Sequence, residues 1–282
     1  MPDVCISEAD FRAFRELFYR KTGIWFEDSK RYFVDRRLSD RILASGNGGF
    51  RHYYQKLRYS EGGAEWQALI NAMTVNETYF FREAHQFECL VNSMLEETVK
   101  HKSRNTPVRI WCIPSSSGEE PYSVAIYLLE HWGRLAEFDV EIVASDIDTE
   151  AIERARNGVY SPRSVQYLPK EYLYRYFTAL PSGEYRLSEG VRSAVTFSQV
   201  NLMDPSQTSP FSDIDIVFCR NLLIYFDDIS RRRAAEAIYE SLAPGGFICL
   251  GHSESMSRIS SLFTLRRFPD AIVYQKPFRG AA

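Results

Sequence analysis

Several common features are missing from these 282 residues. There is no C-x-x-C pair. Cys5, Cys89, Cys112, Cys219 and Cys249 are scattered, with no histidine at zinc spacing beside them. That argues against a structural zinc site or a redox dithiol, and no metal is expected. No apolar run reaches the length of a membrane span, so no membrane insertion is expected. The opening "MPDVCISEAD" is acidic and lacks the basic-then-apolar profile of a signal peptide, which leads us to expect a cytoplasmic protein. Strong net charge is missing too. The chain carries 34 Lys+Arg against 37 Asp+Glu, a net of −3, so nothing global favours nucleic acid. Repeats and low-complexity tracts are also lacking.

What is present is ample material for a core: 45% of residues are hydrophobic and 14% aromatic. Cys112, Cys219 and Cys249 each lie inside an apolar, strand-like run, as reduced, buried small hydrophobes would. Charge is unevenly placed. Residues 1–60 hold 12 Lys+Arg and 8 Asp+Glu, a net of +4; the others hold 22 and 29, a net of −7. The pattern divides at a similar place. Up to residue 73 it is helical: Phe11, Phe14 and Phe18 form one stripe, and Val34, Leu38 and Ile42 another. Residues 74–107 read as a junction strip and a linker helix. From residue 108 to the end, strands alternate with helices, predicting an α/β domain with a mainly parallel sheet. Around residues 180–200, "EYRLSEG" and "SAVTFSQV" read as two short antiparallel strands, a small β lobe inserted into that domain.

In open α/β sheets, ligands bind beyond the carboxyl ends of the strands. Those ends are polar here, in "SSSGEEPYS", "SDID", Asn201, "CRN" and "GHSES", while the strand bodies are apolar. The first turn is S-S-S-G-E-E rather than G-x-G-x-x-G. Glu119 and Glu120 stand where a phosphate would sit, and they would repel phosphate and attract a cation. Asp146, ending the second strand, is where such folds hold ribose hydroxyls. A ligand with a ribose, a positive charge and no phosphate is S-adenosylmethionine.

One stretch puts polar residues against three rings and closes them with a cation: "NAMTVNETYFFREAHQF". Thr74 and Glu77 fit an S/T-x-x-E capping box. Phe87, Leu90, Val91, Met94 and Leu95 then recur on one helical face.

Together "TVNETYFFRE", "SSSGEEPYS", "ASDID", "FCRNLLIYF" and "GHSES", in this order and spacing, resemble the chemotaxis-receptor glutamate O-methyltransferase family (CheR type). The resemblance runs from about Phe11 to Pro277. It implies an all-α N-terminal domain, a Rossmann-like methyltransferase domain with a small antiparallel β lobe, and S-adenosylmethionine as methyl donor, leaving S-adenosylhomocysteine. It also implies an activity, conversion of glutamate side chains of a chemoreceptor-type signalling protein to γ-methyl esters. By resemblance, Asn76, Thr78 and Arg82 close over the cofactor, and Glu120 and Asp146 hold its polar groups. Asn201, Leu202 and Asn221 flank its ends, and Tyr225 joins Arg82 at the transferable methyl as the catalytic pair.

The partner implied is the cytoplasmic helical domain of a chemoreceptor-like protein, bound by a monomer. Arg37 and Arg41, one turn apart and off the Val34/Leu38/Ile42 stripe, are the residues expected to face outward and dock that acidic acceptor. Pro114 stands where the family usually has a small residue or glycine, and it removes one backbone donor from the loop. Two other readings use the same fold. A small-molecule methyltransferase would need neither the basic helical domain nor the β lobe. A non-catalytic binding module would not need Arg82 and Tyr225.

Overall fold

The computed structural model describes residues 4–46, 48–59 and 63–278. Helix α1 (Glu8–Thr22) begins at Ser7. The Ser7 hydroxyl accepts from the Asp10 amide, and the Asp10 carboxylate accepts from the Ser7 amide. It ends at Gly23, whose φ of +74° is left-handed and whose missing Cβ would stand 2.6 Å from Met203 Cγ. Helices α2 (Arg31–Ala44), α3 (Phe50–Tyr59) and α4 (Ala64–Met73) complete the N-terminal domain. Phe11, Phe14, Phe18, Val34, Leu38, Ile42, Tyr53 and Leu69 form its core. Emptying one such site, as in Phe14→Ala, costs about 3–5 kcal/mol.

Residues 74–84 form no regular element. Helix α5 (His85–Cys89), a π turn (Leu90–Met94) and α6 (Leu95–Lys100) follow as one rod, burying the Phe87, Leu90, Val91, Met94, Leu95 stripe. The capping box expected at Thr74 does not form. Thr74 instead ends α4, and its hydroxyl donates to Asp148 Oδ2 (2.7 Å), with the Asn71 carbonyl a second acceptor within reach at 3.0 Å. Glu77 pairs with Arg163 in solvent. No helix starts directly after Thr74, so no amide of a following first turn faces its hydroxyl, which donates instead to a charged acceptor across the domain junction, the stronger kind of bond.

The second domain runs β1 (Val108–Cys112), α7 (Glu119–His131), β2 (Val140–Asp146), α8 (Thr149–Asn157), β3 (Val159–Tyr160), α9 (Pro162–Val165) and α10 (Lys170–Tyr176). It continues with β4 (Phe177–Ala179), β5 (Tyr185–Leu187), α11 (Glu189–Arg192), β6 (Val195–Gln199), α12 (Pro205–Thr208) and β7 (Ile214–Cys219). Helix α13 (Asp228–Ser241), β8 (Leu242–Leu250), β9 (Thr264–Arg267) and β10 (Ile272–Gln275) close it. The main sheet has the order β6-β2-β1-β7-β8-β10-β9, parallel except where β10 meets β8 and β9. Cys112, Cys219 and Cys249 are buried within β1, β7 and β8, whereas Cys5 is exposed.

The β lobe differs from the expectation. It is a three-stranded sheet in the order β3-β5-β4, spanning residues 159–187. "EYRLSEG" belongs to it through β5, but "SAVTFSQV" does not. Strand β6 pairs parallel to β2, with Val195 opposite Ile142 and Phe197 opposite Ala144. Alternation of apolar and polar residues is common to a hairpin strand and to the edge of a parallel sheet, so periodicity alone could not separate them.

Strand β1 lies between β2 and β7, and the chain moves outward from it in opposite directions. This is the switch point, where the loops at the carboxyl ends part into a crevice. The N-terminal domain is fastened over that crevice. Trp25 N–H donates to the Tyr225 carbonyl (3.2 Å), Ile24 bridges to Phe226, and Asn71 donates to Thr149 Oγ1 (3.0 Å). Among the described residues, no helix is long and apolar enough to cross a membrane.

Candidate active site

A cleft of about 610 Å³ occupies the crevice, walled by both domains and the strip between them. Asn76, Thr78, Arg82, Glu120, Asp146, Asn201, Leu202, Asn221 and Tyr225 all line it. Arg37 and Arg41 do not. Glu119, read with Glu120 as facing the ligand, turns away from the cleft and is buried, accepting a hydrogen bond from Ser117 Oγ (2.8 Å).

The sheet wall is made by strand ends. Gly118, at φ +94°, leaves room where a Cβ would meet Tyr122 and Ala155 at under 3 Å, so the loop after β1 can turn tightly into α7. That loop delivers the Ser116 amide to Asp146 Oδ2 (2.7 Å), and the Asp148 amide reaches Asp146 Oδ1 (2.9 Å). Burial pushes the Asp146 carboxyl up to about 6, with the two amides opposing the shift. Pro114, joined to Ile113 by a cis peptide bond, lines the same wall. The next two amides are already committed within the protein, Ser115 to the Ser145 carbonyl (2.8 Å) and Ser116 to Asp146. Asn201 is committed too, donating to the Lys21 carbonyl (2.7 Å) and accepting from the Met203 amide (3.0 Å). It therefore offers the cleft a fixed surface, continued by Leu202 and Val200.

The opposite wall is the strip. Its hold on the sheet domain is polar: Thr74 and Asn76 both donate to Asp148 Oδ2, and Ser116 Oγ donates to Asn76 Oδ1 (3.0 Å). At its end, Arg82 is flanked by Phe81 (φ +59°) and Glu83 (φ +57°), two side-chain-bearing residues in the left-handed region. Such conformations cost of order 1–3 kcal/mol each and gather at functional sites. Packing holds the turn there. The Phe81 amide donates to Ser123 Oγ (3.0 Å), while Phe80 and Phe81 lie in edge-on contact with Tyr160, Phe177, Tyr127 and Tyr172. Arg82 itself donates to the Glu77 carbonyl (3.0 Å). Tyr225, on a single 3-10 turn, is half-buried; burial raises its phenol, and the Arg82 charge opposes that rise.

Sequence reasoning passed over some residues that shape the site. Arg220, at the end of β7, is buried and donates to Glu120 Oε2 (2.7 Å) and to the Arg82 carbonyl (2.6 Å). Glu254, from "GHSES", accepts from the amides of Gly251, Asn221 and Leu223, and so fixes the Asn221 loop at φ +58°. An arginine directly following an apolar strand was a visible signal for Arg220. The cleft-lining α1–α2 linker, with Trp25 and Phe26, gave none.

Residues 9–74 match the family described as CheR methyltransferase, all-alpha domain, and residues 76–272 match the CheR methyltransferase, SAM binding domain. This chain belongs to the CheR methyltransferase family. Among its relatives, "Chemotaxis protein methyltransferase 2" of Vibrio cholerae is 51% identical over 99% of this chain and 97% of that protein. "Chemotaxis protein methyltransferase 2" of Pseudomonas aeruginosa is 40% identical, covering 90% of this chain and 89% of its own. "Chemotaxis protein methyltransferase" of Salmonella typhimurium is 38% identical over 93% and 89% respectively.

The CheR cleft suits S-adenosylmethionine on its own chemistry. Glu120 Oε1, Ser115 Oγ and Arg220 Nε are buried polar atoms without partners among the described residues, on three residues that line it. Buried polar groups are rarely left so, which points to a polar ligand. The carboxylates of Glu120 and Asp146 beside apolar Ile147, Val200 and Leu202 match a molecule with a cationic end, ribose hydroxyls and a flat base.

Arg37 and Arg41 are not pushed outward as expected. Arg37 donates to the Ala72 carbonyl (2.6 Å) and lies 3.7 Å over the Phe33 ring. Arg41 makes a forked pair with Glu65, which also accepts from Tyr53 (2.6 Å). The reason is their length: a guanidinium next to an apolar stripe can lay its stem on that surface and still find acceptors on the neighbouring helix.

Proposed function

We propose that this chain transfers the methyl group of S-adenosylmethionine to glutamate side chains of a chemoreceptor-type protein, producing γ-methyl esters and S-adenosylhomocysteine. What supports it most is one cleft that joins two carboxylates, the partly buried Glu120 and the buried Asp146, to Arg82 and Tyr225. We assign Asp146 to the ribose hydroxyls and Glu120 to the cationic end. Asn76 and Thr78 close the cofactor from the strip side. Asn201, Leu202 and Asn221 flank its two ends.

The cofactor, when bound, supplies a methyl activated by sulfonium, whose C–S electron pair stays on sulfur as the new C–O bond forms. The acceptor carboxyl, with an ordinary pKa of about 4.3, is already ionised at neutral pH. No side chain has to take a proton, and the site needs no general base. Its work is to hold the acceptor oxygen in line, about 3–3.5 Å from the methyl, and to keep water out. Arg82 draws the carboxylate in and orients it. It is not a full clamp, because a carboxylate bound by both its oxygens would be a poor nucleophile. Tyr225 stays a phenol at neutral pH and donates a hydrogen bond. The α1–α2 linker covers the site from water.

Docking of the acceptor, by a monomer, falls to the basic N-terminal domain. Arg41 is neutralised by Glu65, but Arg37 spends its hydrogen bond on a neutral carbonyl, so its charge is the more available of the two. The field of this domain steers an acidic helical bundle towards the cleft mouth. Incubating the protein with methyl-labelled S-adenosylmethionine and the purified cytoplasmic domain of a chemoreceptor tests the proposal. Label should enter the receptor and leave as methanol in mild base. Label that resists base, or that never enters the receptor, overturns it.

A further inference from the structure

Arg220 belongs to no assigned role, yet its surroundings are unusual. Its side chain is 2% exposed, and all of its bonds run to the two walls of the cleft. One end of the guanidinium donates to Glu120 Oε2 at 2.7 Å. The other donates to the Arg82 carbonyl at 2.6 Å and pairs with Glu83 Oε2 at 3.2 Å. Glu120 faces the cofactor side, while Glu83 and the Arg82 carbonyl are the strained turn that carries the catalytic arginine. We propose that Arg220 is a positioning residue that couples the two walls, so that holding the cofactor at Glu120 and holding Arg82 in its working position are one linked event. The inference rests on the function proposed above and deepens it.

The charge count supports it. Two carboxylates, Glu83 and Glu120, share one buried cation, and Glu120 keeps a buried oxygen without a partner among the described residues. The trio is one positive charge short, on the side that faces the cleft. A cationic group of the ligand, such as an α-ammonium, completes it; a neutral or anionic group does not. A ligand cation there takes up part of the Glu120 charge that Arg220 now holds, and through the same planar fork it shifts the guanidinium's hold towards Glu83 and the carbonyl of Arg82. A lysine could satisfy Glu120 as a point charge but could not reach three acceptors in fixed geometry. The groups facing Glu120 are Arg220, Arg82 and Glu83, with the buried thiols of Cys112, Cys219 and Cys249 behind; His252 meets Glu83 from the solvent side at 2.9 Å. Burial raises the Glu120 carboxyl and Arg220 is the first influence lowering it, so removing Arg220 lets Glu120 take up a proton at higher pH.

The test uses the full chain with S-adenosylhomocysteine as binding probe and receptor methylation as activity. Arg220→Lys should weaken binding of the probe by less than about fivefold but lower kcat by at least tenfold. In an Arg82→Ala background the same substitution should lose most of its effect on kcat, because it acts through Arg82. Arg220→Met should weaken the probe by more than tenfold at pH 6, with part of that loss recovered by pH 9 as Glu120 ionises. Should Arg220→Met fail to fold, the Arg220→Lys cycle decides alone. Equal losses of binding and kcat in Arg220→Lys, persisting undiminished without Arg82, overturn the coupling and leave Arg220 an ordinary buried ion pair. The pH arm does not depend on methyl transfer. A wild-type protein that binds the probe but never labels receptor refutes the proposed function, while the Arg220→Met profile still rules on the charge trio.

Discussion

The two walls of the cleft are built by opposite means. The sheet wall is a set of strand ends in register: Cys112, Ala144 and Phe218 lie side by side, and the loops beyond them are carried to one edge by the hydrogen-bond ladder. The strip has no ladder. It is held by a few polar bonds to Asp148 and by aromatic packing, and it places Arg82 between two left-handed residues. A wall fixed by a parallel sheet suits a cofactor that must be met the same way at each turnover. A wall held by separate bonds suits the chemistry, where one cation must be aimed. The division of labour predicts that damage to the sheet wall is read in binding, and damage to the Arg82 end of the strip in turnover.

The largest effect is expected at the strip. Arg82→Ala should lower kcat by about 10²–10³, the usual cost of removing one preorganised electrostatic contact. Probe affinity should change far less, and single-turnover methylation separates the two. Next is the sheet wall. Asp146→Ala should weaken S-adenosylhomocysteine binding by about 1.5–3 kcal/mol, a charged hydrogen bond's worth, measurable by calorimetry. Its pH dependence follows from burial. A buried acid raised to about 6 binds its proton more tightly folded than unfolded, so its contribution to stability is full below about pH 4 and is lost as pH rises through 6. Ribose hydroxyls need the ionised form, so probe affinity should increase from pH 5 to 7 and then level off. In Asp146→Ala this step should vanish; a step that survives unchanged assigns it to another group.

Smaller effects sharpen the comparison. Asp148 caps α8 and also receives Thr74 and Asn76, so Asp148→Ala should cost about 1 kcal/mol for the cap. It should also lower kcat by freeing the strip. A drop in melting temperature with normal kcat would show that the strip is anchored elsewhere. Tyr225→Phe removes one neutral hydrogen bond and should cost roughly 0.5–1.5 kcal/mol in kcat. The smallest effect is docking. Arg37→Glu should raise the receptor KM a few-fold at low salt and less at high salt, since exposed fields are screened beyond about 8–10 Å. Identical salt slopes for the variant and the parent would move the docking site off α2.

How much of this was legible follows the same division. Strand ends show in a sequence because apolar runs stop abruptly at polar residues. The strand ends that carry Asp146, Glu120 and the "CRN" stretch were legible in that way, and they line one cleft; the alternation of strands and helices gave the sheet domain its class. The β lobe was misplaced because five residues of alternating polarity, Val195 to Gln199, fit a hairpin as well as a sheet edge. The strip was legible only by resemblance. Nothing in "TYFFRE" announces two left-handed residues, and the capping pattern at Thr74 pointed to a helix that the junction prevents. Arg37 and Arg41 went astray because pattern shows which side of a helix a residue leaves from, not where a long side chain ends.

The division itself is tested most directly by measuring, for Asp146→Ala and Arg82→Ala side by side, the dissociation constant of S-adenosylhomocysteine and the single-turnover rate of receptor methylation at saturating cofactor. The account predicts a crossed result: Asp146→Ala loses affinity and recovers most of its rate at saturation, whereas Arg82→Ala keeps its affinity and loses its rate. If the two variants lose affinity and rate in the same proportion, the walls share one job and the account is contradicted.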